Sequence, residues 1–131
     1  MKVVAGAILI HNGKIFIAKR PEGKTLAHHW EFPGGKQENG ETLQQCLKRE
    51  LREELNIDAT IGDFFMTNEY KYEFGVIQLN TFFASISEDI DIHSNEHENT
   101  AWVTPEELKN YTFAPADIPI VAELEKLKIA Q

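Results

Sequence analysis

The segment from residue 35 to residue 57 constrains the fold of this 131-residue chain most, because its acids fall where a helix should bury leucines. Residues 42–55 contain no Gly or Pro and are rich in good helix formers. On a helix that advances about 100° per residue, Glu50 and Glu54 lie about 40° apart and share the leucine arc. A carboxylate buried there is costly unless it is paired or binds a metal.

The alternative is a solvent-exposed helix stabilised by ion pairs, such as one between Arg49 and Glu53. That helix should carry its acids opposite its leucines, which is not the pattern here. A hard divalent cation resolves the conflict, since Mg²⁺ binds a few carboxylates together with substrate phosphates. The helix therefore indicates a cation site, with Mg²⁺ as the expected ion and Mn²⁺ as the alternative.

The residues before this helix favour an anionic ligand. Gly34 and Gly35 end the sequence W-E-F-P-G-G, and paired glycines can bring bare backbone close to a phosphate. An isolated Gly-Gly pair is more often an ordinary turn. Next to the acidic helix, the pair predicts one half of a phosphate–metal site.

Residues 35–57 resemble the Nudix box, G-x5-E-x7-R-E-U-x-E-E-x-G-U, where U is a bulky apolar residue. Every defined position matches except Asn56, which stands where the family has Gly. We expect a left-handed backbone there, which Asn tolerates next best after Gly. The resemblance implies an α+β fold, an α/β/α sandwich with a mixed β-sheet between helices, formed as one domain by residues 1–131.

The rest of the chain fits this order of elements. Residues 3–10 and 14–19 flank an Asn-Gly pair, which predicts a hairpin. Residues 61–72 and 76–86 form a second candidate pair of strands. Residues 104–107 read as a helix start, with Thr as N-cap and Pro in the first turn. A last helix should carry the apolar residues Ile118, Val121, Leu124 and Leu127.

Composition limits the partners and the compartment. The net charge of −8 disfavours duplex nucleic acid and anionic membranes. The apolar run 3–10 is too short to cross a bilayer. The lone Cys46 excludes an internal disulfide, reads as a packed thiol and fits a cytoplasmic protein. We expect a small-molecule nucleotide partner chelated to metal, and a monomer or a homodimer.

The resemblance also implies a reaction, in which water cleaves a nucleoside diphosphate linked to another group. By resemblance, Glu50, Glu53 and Glu54 are metal ligands, helped by the backbone carbonyl of Gly34. Glu96 lies six residues before a Trp, where relatives often place a metal-binding or base glutamate, and Glu98 is the alternative.

Other residues of the segment receive supporting roles. Arg49 is interpreted as the group that pairs with the catalytic carboxylates and orients them, with a plain surface Arg as the alternative. Glu50 is the favoured base, whereas Glu41 is interpreted as structural. His28 and His29 are interpreted as loop residues near the substrate entrance, because adjacent residues diverge and no third ligand is spaced with them.

Three segments outside the box resemble the MutT-like branch of the family and imply the substrate site. Arg20 ends the second strand, where relatives keep an Arg close to the nucleotide. Residues 30–36 read W-E-F-P-G-G-K, and relatives use the Phe and the neighbouring backbone to line the base pocket. Residues 113–119 read F-A-P-A-D-I-P, as in CTP pyrophosphohydrolases, whereas enzymes that remove oxidised guanine nucleotides carry Asn at the position of Asp117. Asp117 could also cap the last helix. The predicted substrate-binding residues are Arg20, Glu31, Phe32, Pro33, Gly34, Gly35 and Asp117.

The resulting hypothesis is a Mg²⁺-dependent nucleoside triphosphate pyrophosphohydrolase that serves nucleotide-pool sanitation. CTP, dCTP, modified pyrimidine nucleotides and 8-oxo-dGTP are the candidate substrates. An ionised Asp117 would only accept hydrogen bonds, which would set the ranking among bases. The alternatives are an ADP-ribose or sugar-nucleotide hydrolase, and a non-catalytic nucleotide sensor. A sensor would usually lack box carboxylates, which this chain retains.

Overall fold

Strand β1 (Lys2–His11) is the centre of the sheet, because it pairs with three other strands. In the computed structural model, which describes residues 1–127, β1 runs parallel to β6 and antiparallel to β2 and β4. The remaining elements in chain order are β2 (Lys14–Lys19), β3 (Trp30–Glu31), β4 (Gly34–Lys36), α1 (Leu43–Leu55), β5 (Thr60–Tyr72), β6 (Gly75–Ser85), β7 (Asn99–Val103) and α2 (Ile118–Leu124). The sheet is mixed, as predicted.

Two separate apolar cores cover the two faces of this sheet. On one face, the leucines of α1 pack against alternate β1 residues such as Ala5 and Ala7 and against Phe82. On the other face, α2 and the 3₁₀ helix Pro105–Asn110 pack against β1 and β2. The predicted α/β/α sandwich is therefore confirmed.

Both predicted hairpins are present. Asn12 (φ 52°) and Gly13 (φ 76°) form the two-residue turn between β1 and β2, as expected for a hairpin turn that needs positive φ at both positions. The second hairpin joins β5 to β6, with Tyr72 opposite Gly75. Strands β3, β4 and β7 were not predicted, because two to five residues carry too little alternation to show a strand period.

The last helix differs from its prediction in two respects. Helix α2 ends at Leu124, so Leu127 lies beyond it, whereas Ile118 is on the helix as predicted and is 54% exposed. Asp117 does not cap the helix, since its backbone is already helical (φ −87°, ψ −18°) and its side chain makes no capping bond. The segment that begins at Thr104 is a helix as predicted, but a 3₁₀ helix, with Thr104 and Glu107 forming a capping box.

Helix α1 is closed at both ends by its own sequence. Thr42 and Gln45 form a capping box at the start, so two backbone N–H groups find partners there. At the other end Asn56 is left-handed (φ 54°, ψ 42°), as predicted. None of the helices within residues 1–127 is long and apolar enough to cross a bilayer.

The backbone of Asn56 generates a stability prediction. Asn56→Ala should lower the free energy of unfolding by about 1 kcal/mol, because a Cβ without a polar partner is disfavoured in the left-handed region. Asn56→Gly should match or exceed the wild type. Urea unfolding followed by circular dichroism measures both variants. Equal stability of the Ala and Gly variants would contradict this account of the helix end.

Candidate active site

The carboxylate of Glu50 in α1 lies against the backbone of Gly35 in β4. A methyl group built on Gly35 would overlap the Glu50 carboxylate. A methyl group on Gly34 would overlap the carbonyl of Ala5, the residue before its cross-strand partner Gly6 in β1. A side chain at either position would therefore displace its neighbour. At Gly35, the absence of a side chain lets the Glu50 carboxylate lie directly against the backbone.

Glu54 is the buried acid of this helix. It is 5% exposed, whereas the side chains of Glu50 and Glu53 are 18% and 58% exposed. Burial, together with the negative charges of Glu96, Glu31 and Glu50, raises the pKa of Glu54 to about 9. The predicted position of Glu50 and Glu54 in or beside the apolar arc is confirmed, although Glu50 is only partly buried.

Arg49 is the positive centre of the site. Its guanidinium donates to both carboxylate oxygens of Glu41, at 3.0 Å from Nε and 2.7 Å from Nη2. Its Nη1 also donates to Glu50 at 2.8 Å and to Glu53 at 3.2 Å. The hydrogen bonds from Arg49 hold the pKa of Glu41 at about 2, so Glu41 stays ionised and fixes the guanidinium. This geometry favours the orienting role for Arg49 and the structural role for Glu41.

The predicted metal ligands are brought near each other only in part. Among residues 1–127, no group of three His, Cys, Asp or Glu side chains is arranged to hold a metal ion. Glu50, Glu54 and Glu96 interact through their charges, whereas the exposed Glu53 side chain points to Arg49. The donors nevertheless fit Mg²⁺, because they are oxygens and Glu54 is buried among like charges that a cation would neutralise.

The two candidate acids of the loop before β7 have different surroundings. Glu98 binds Lys19 at 3.2 Å and His28 at 2.7 Å, so its carboxylate is already paired. Glu96 instead contributes to the negative potential at Glu54. This contrast favours Glu96 as the fourth acid of the site. His28 lies in the loop as expected and binds an acid there.

A cavity of about 250 Å³ opens beside Gly34 and Gly35. Arg20, Glu31, Phe32, Gly34, Gly35 and Asp117 all line it, which unites six of the seven residues predicted to bind substrate. Pro33 is the exception: it is buried outside the lining, and its carbonyl accepts the N–H of Ala7 at 2.8 Å.

Asp117 lies in the wall of this cavity and is 6% exposed. The backbone N–H of Phe32 donates to its Oδ2 at 3.2 Å. Burial and the nearby charge of Glu31 raise the pKa of Asp117 well above its ordinary value. Burial therefore favours the neutral form of Asp117, which would donate as well as accept, over the ionised form that only accepts.

Aromatic residues of the β5–β6 hairpin also line the cavity and were missed. Tyr72 and Phe74 stack at 4.9 Å, and the Tyr72 hydroxyl accepts the N–H of Ala116 at 2.8 Å. The two partners of that bond are 44 positions apart, so no local sequence pattern connects them. An aromatic pair next to a turn was the one available signal, and it is equally typical of a strand end.

Comparison with known proteins agrees with this arrangement. The NUDIX domain model matches residues 1–124. The chain belongs to the Nudix family. It is 38% identical over 132 residues to the CTP pyrophosphohydrolase of Escherichia coli, with 98% of this chain and 94% of that protein covered. The prediction of a Nudix hydrolase is therefore confirmed.

Further relatives of this Nudix hydrolase support the same family and fold. The 8-oxo-dGTP diphosphatase of Haemophilus influenzae is 34% identical over 125 residues, with 95% of this chain and 90% of that protein covered. The crystal structure of the MutT protein from Methanosarcina mazei matches with a TM-score of 0.83 at 22% identity, covering 95% and 93% of the two chains. At that identity the likeness extends to the fold alone.

The raised pKa of Glu54 generates a prediction for the metal-free protein. A carboxyl with a raised folded-state pKa favours folding below its unfolded value, and that contribution is lost as the pH rises toward about 9. Glu54→Gln should therefore increase the free energy of unfolding at pH 8 by about 2 kcal/mol with EDTA present, and by much less at pH 5.5.

Urea unfolding at the two pH values measures the effect, and Glu53→Gln is the matched control. Glu53 has a 58% exposed side chain on the same turn, so its variant should keep the pH slope of the wild type. The same slope in Glu54→Gln and the wild type would show that Glu54 does not titrate in this range.

Proposed function

We propose that this chain is a divalent-metal-dependent nucleoside triphosphate pyrophosphohydrolase. Water would add to the substrate and the bond between the α- and β-phosphates would break, releasing the monophosphate and pyrophosphate. One observation carries the proposal: the Gly34–Lys36 strand lines the cavity on one side and touches Glu50 on the other. A nucleotide whose nucleobase lies in the cavity would thus have its phosphates beside the acidic residues of α1.

The proposed metal ligands are the carboxylates of Glu50, Glu53, Glu54 and Glu96 and the backbone carbonyl of Gly34. When bound, Mg²⁺ supplies positive charge that neutralises phosphate oxygens and makes water easier to deprotonate. The protein's own part is to keep these oxygens close to one another at the edge of the apolar core. The bidentate pair of Arg49 with Glu41 supports this role, because it fixes the guanidinium that contacts Glu50 and Glu53.

We propose Glu50 as the group that takes the proton from water. Its carboxylate lies against the Gly35 backbone, where the cavity and the acid cluster meet. The guanidinium of Arg49 at 2.8 Å orients it. A general base held between α1 and strand β4 needs little rearrangement to reach a water molecule beside the substrate.

The lining of the cavity supports a nucleobase as the group bound there. Phe32, Tyr72 and Phe74 give the wall an apolar, aromatic surface, and the ring of Phe113 packs against that of Phe32 at 5.4 Å. In the neutral form that burial favours, Asp117 would offer one proton and one acceptor oxygen beyond the bond from Phe32. That pair of groups matches the N3 and N4 edge of cytosine and also the O6 and N1 edge of guanine. CTP-type nucleotides and 8-oxo-dGTP are therefore the proposed substrates, which fits a role in the cytoplasmic nucleotide pool.

The acids of α1 generate the first activity prediction. Glu53→Gln and Glu54→Gln should each lower kcat by about 100-fold or more, because each removes a charged oxygen from the metal site. Release of pyrophosphate from CTP and from 8-oxo-dGTP with Mg²⁺ measures the loss. Glu106→Gln, a change of an exposed acid, is the control and should keep wild-type turnover. Wild-type rates in the Glu54 variant would refute the metal assignment.

Asp117 generates a second activity prediction, concerning base selectivity. Asn also presents one donor and one acceptor group, so Asp117→Asn should keep the ratio of kcat/KM for CTP and 8-oxo-dGTP within about threefold. Asp117→Leu should lose about 100-fold on both substrates, because the base edge then faces an apolar group. A large change of the ratio in the Asn variant would indicate that Asp117 acts as an ionised acceptor.

A further inference from the structure

His97 is the one histidine of the loop before β7 whose ring is packed into the protein. Its side chain is only 3% exposed, whereas that of His93 in the same loop is 82% exposed. The Nε2 of His97 lies 2.9 Å from Oε2 of Glu31, and its Nδ1 lies 2.7 Å from the hydroxyl of Ser94. Both ring nitrogens thus have polar partners inside the fold.

The contact with Glu31 continues into the nucleotide cavity. The other oxygen of Glu31, Oε1, accepts a hydrogen bond from Nη1 of Arg20 at 3.1 Å. Arg20 in turn donates from Nε to the carbonyl of Thr25 at 2.7 Å and from Nη2 to its hydroxyl at 3.1 Å. Arg20 and Glu31 both line the cavity. A chain of direct hydrogen bonds therefore runs from the cavity wall to His97.

The same histidine lies next to Glu96 and shares a partner with it. The backbone N–H of Glu96 donates to the Ser94 hydroxyl at 3.3 Å, the same oxygen that contacts His97. On the other side, the N–H of Glu98 donates to the carbonyl of Lys19 at 2.9 Å. Glu96 itself is exposed, so its neighbours and not its own packing set its position.

We infer that His97 is a positioning residue, which holds Glu96 in place beside the acids of α1 and joins that acid to the nucleotide cavity through Glu31 and Arg20. The inference rests on the proposed function, since it takes Glu96 as a metal ligand. His97 would add a residue outside the Nudix box to the metal site. The hydrogen-bond chain would also provide a physical route by which a nucleobase in the cavity can affect Glu96. Partners behind a metal ligand typically affect metal affinity or activity by about 10- to 100-fold.

Two near-isosteric substitutions separate the contacts of the ring. His97→Gln places its amide near the Nε2 position and can still donate to Glu31. His97→Asn reaches only the Nδ1 position and loses Glu31 while keeping Ser94 within reach. His93→Ala is the matched control, because that ring is exposed and its acidic partner Asp91 has a 91% exposed side chain. All variants are made in the full chain, and thermal unfolding monitors their folding.

The first measurement is Mn²⁺ binding by calorimetry without nucleotide, which does not depend on turnover. His97→Asn should weaken Mn²⁺ binding by about 10-fold, and His97→Gln should stay within about threefold of the wild type. The second measurement is turnover of CTP and 8-oxo-dGTP. For the Asn variant, kcat should fall by about 10-fold, while KM changes by less than about threefold. His93→Ala should match the wild type in both.

The outcomes separate this inference from the proposed function. Wild-type Mn²⁺ affinity in a folded His97→Asn protein would overturn the inference, and so would equal losses in the Asn and Gln variants. Absence of Mn²⁺ binding by the wild type would overturn it as well, because there would be no metal site to position. If the wild type hydrolyses no nucleotide but His97→Asn still weakens Mn²⁺ binding, the proposed function fails and the positioning role stands.

Discussion

The fit of the Glu50 carboxylate onto the bare backbone of Gly35 is the constraint on which the site depends. Because a side chain at position 35 would overlap that carboxylate, only glycine leaves room for the carboxylate where it lies. Strand β4 is in turn fixed by its pairing with β1 at the centre of the sheet. The contact therefore sets where the Glu50 carboxylate lies relative to the strand that lines the cavity. On the proposed assignments, reaction and recognition share this boundary.

The electrostatics of α1 follow from the same boundary. Glu54 is buried on this helix, and an ionised carboxylate there lacks the hydration it has in the unfolded chain. Arg49 compensates part of this charge, but it contacts Glu50 and Glu53 and is held by Glu41. The positive charge is thus fixed on the outer side of the cluster. If Glu54 binds the metal as proposed, stability of the metal-free fold and affinity for a cation are opposed at this one residue, as is common where a site stores unfavourable charge.

The sequence predicted the parts of this site that depend on local geometry. Three features each follow from a short sequence pattern and are found in the structure. They are the position of Glu54 in the apolar arc of α1, the left-handed backbone of Asn56 and the hairpin turn at Gly13. The predictions that were wrong depend on contacts between distant parts of the chain. Asp117 was assigned a possible capping role, yet its side chain makes no capping bond and instead accepts the N–H of Phe32, 85 positions away. No local sequence pattern connects residues that are so far apart in the chain.

The division between local and distant contacts also explains how one box can serve enzymes with different substrates. The acids of α1 are spaced by the helix itself, so they keep their geometry whatever surrounds them. The cavity, by contrast, is lined by residues from several parts of the chain, including the end of β2, strands β3 and β4, the β5–β6 hairpin and the segment at Asp117. Changes in any of these segments alter the base edge that can be read and leave the carboxylates in place. The contact between His97 and Glu31, 66 positions apart, connects the loop that carries Glu96 to the cavity. Base selectivity can therefore change by substitution in the segments that line the cavity, provided that this contact is kept.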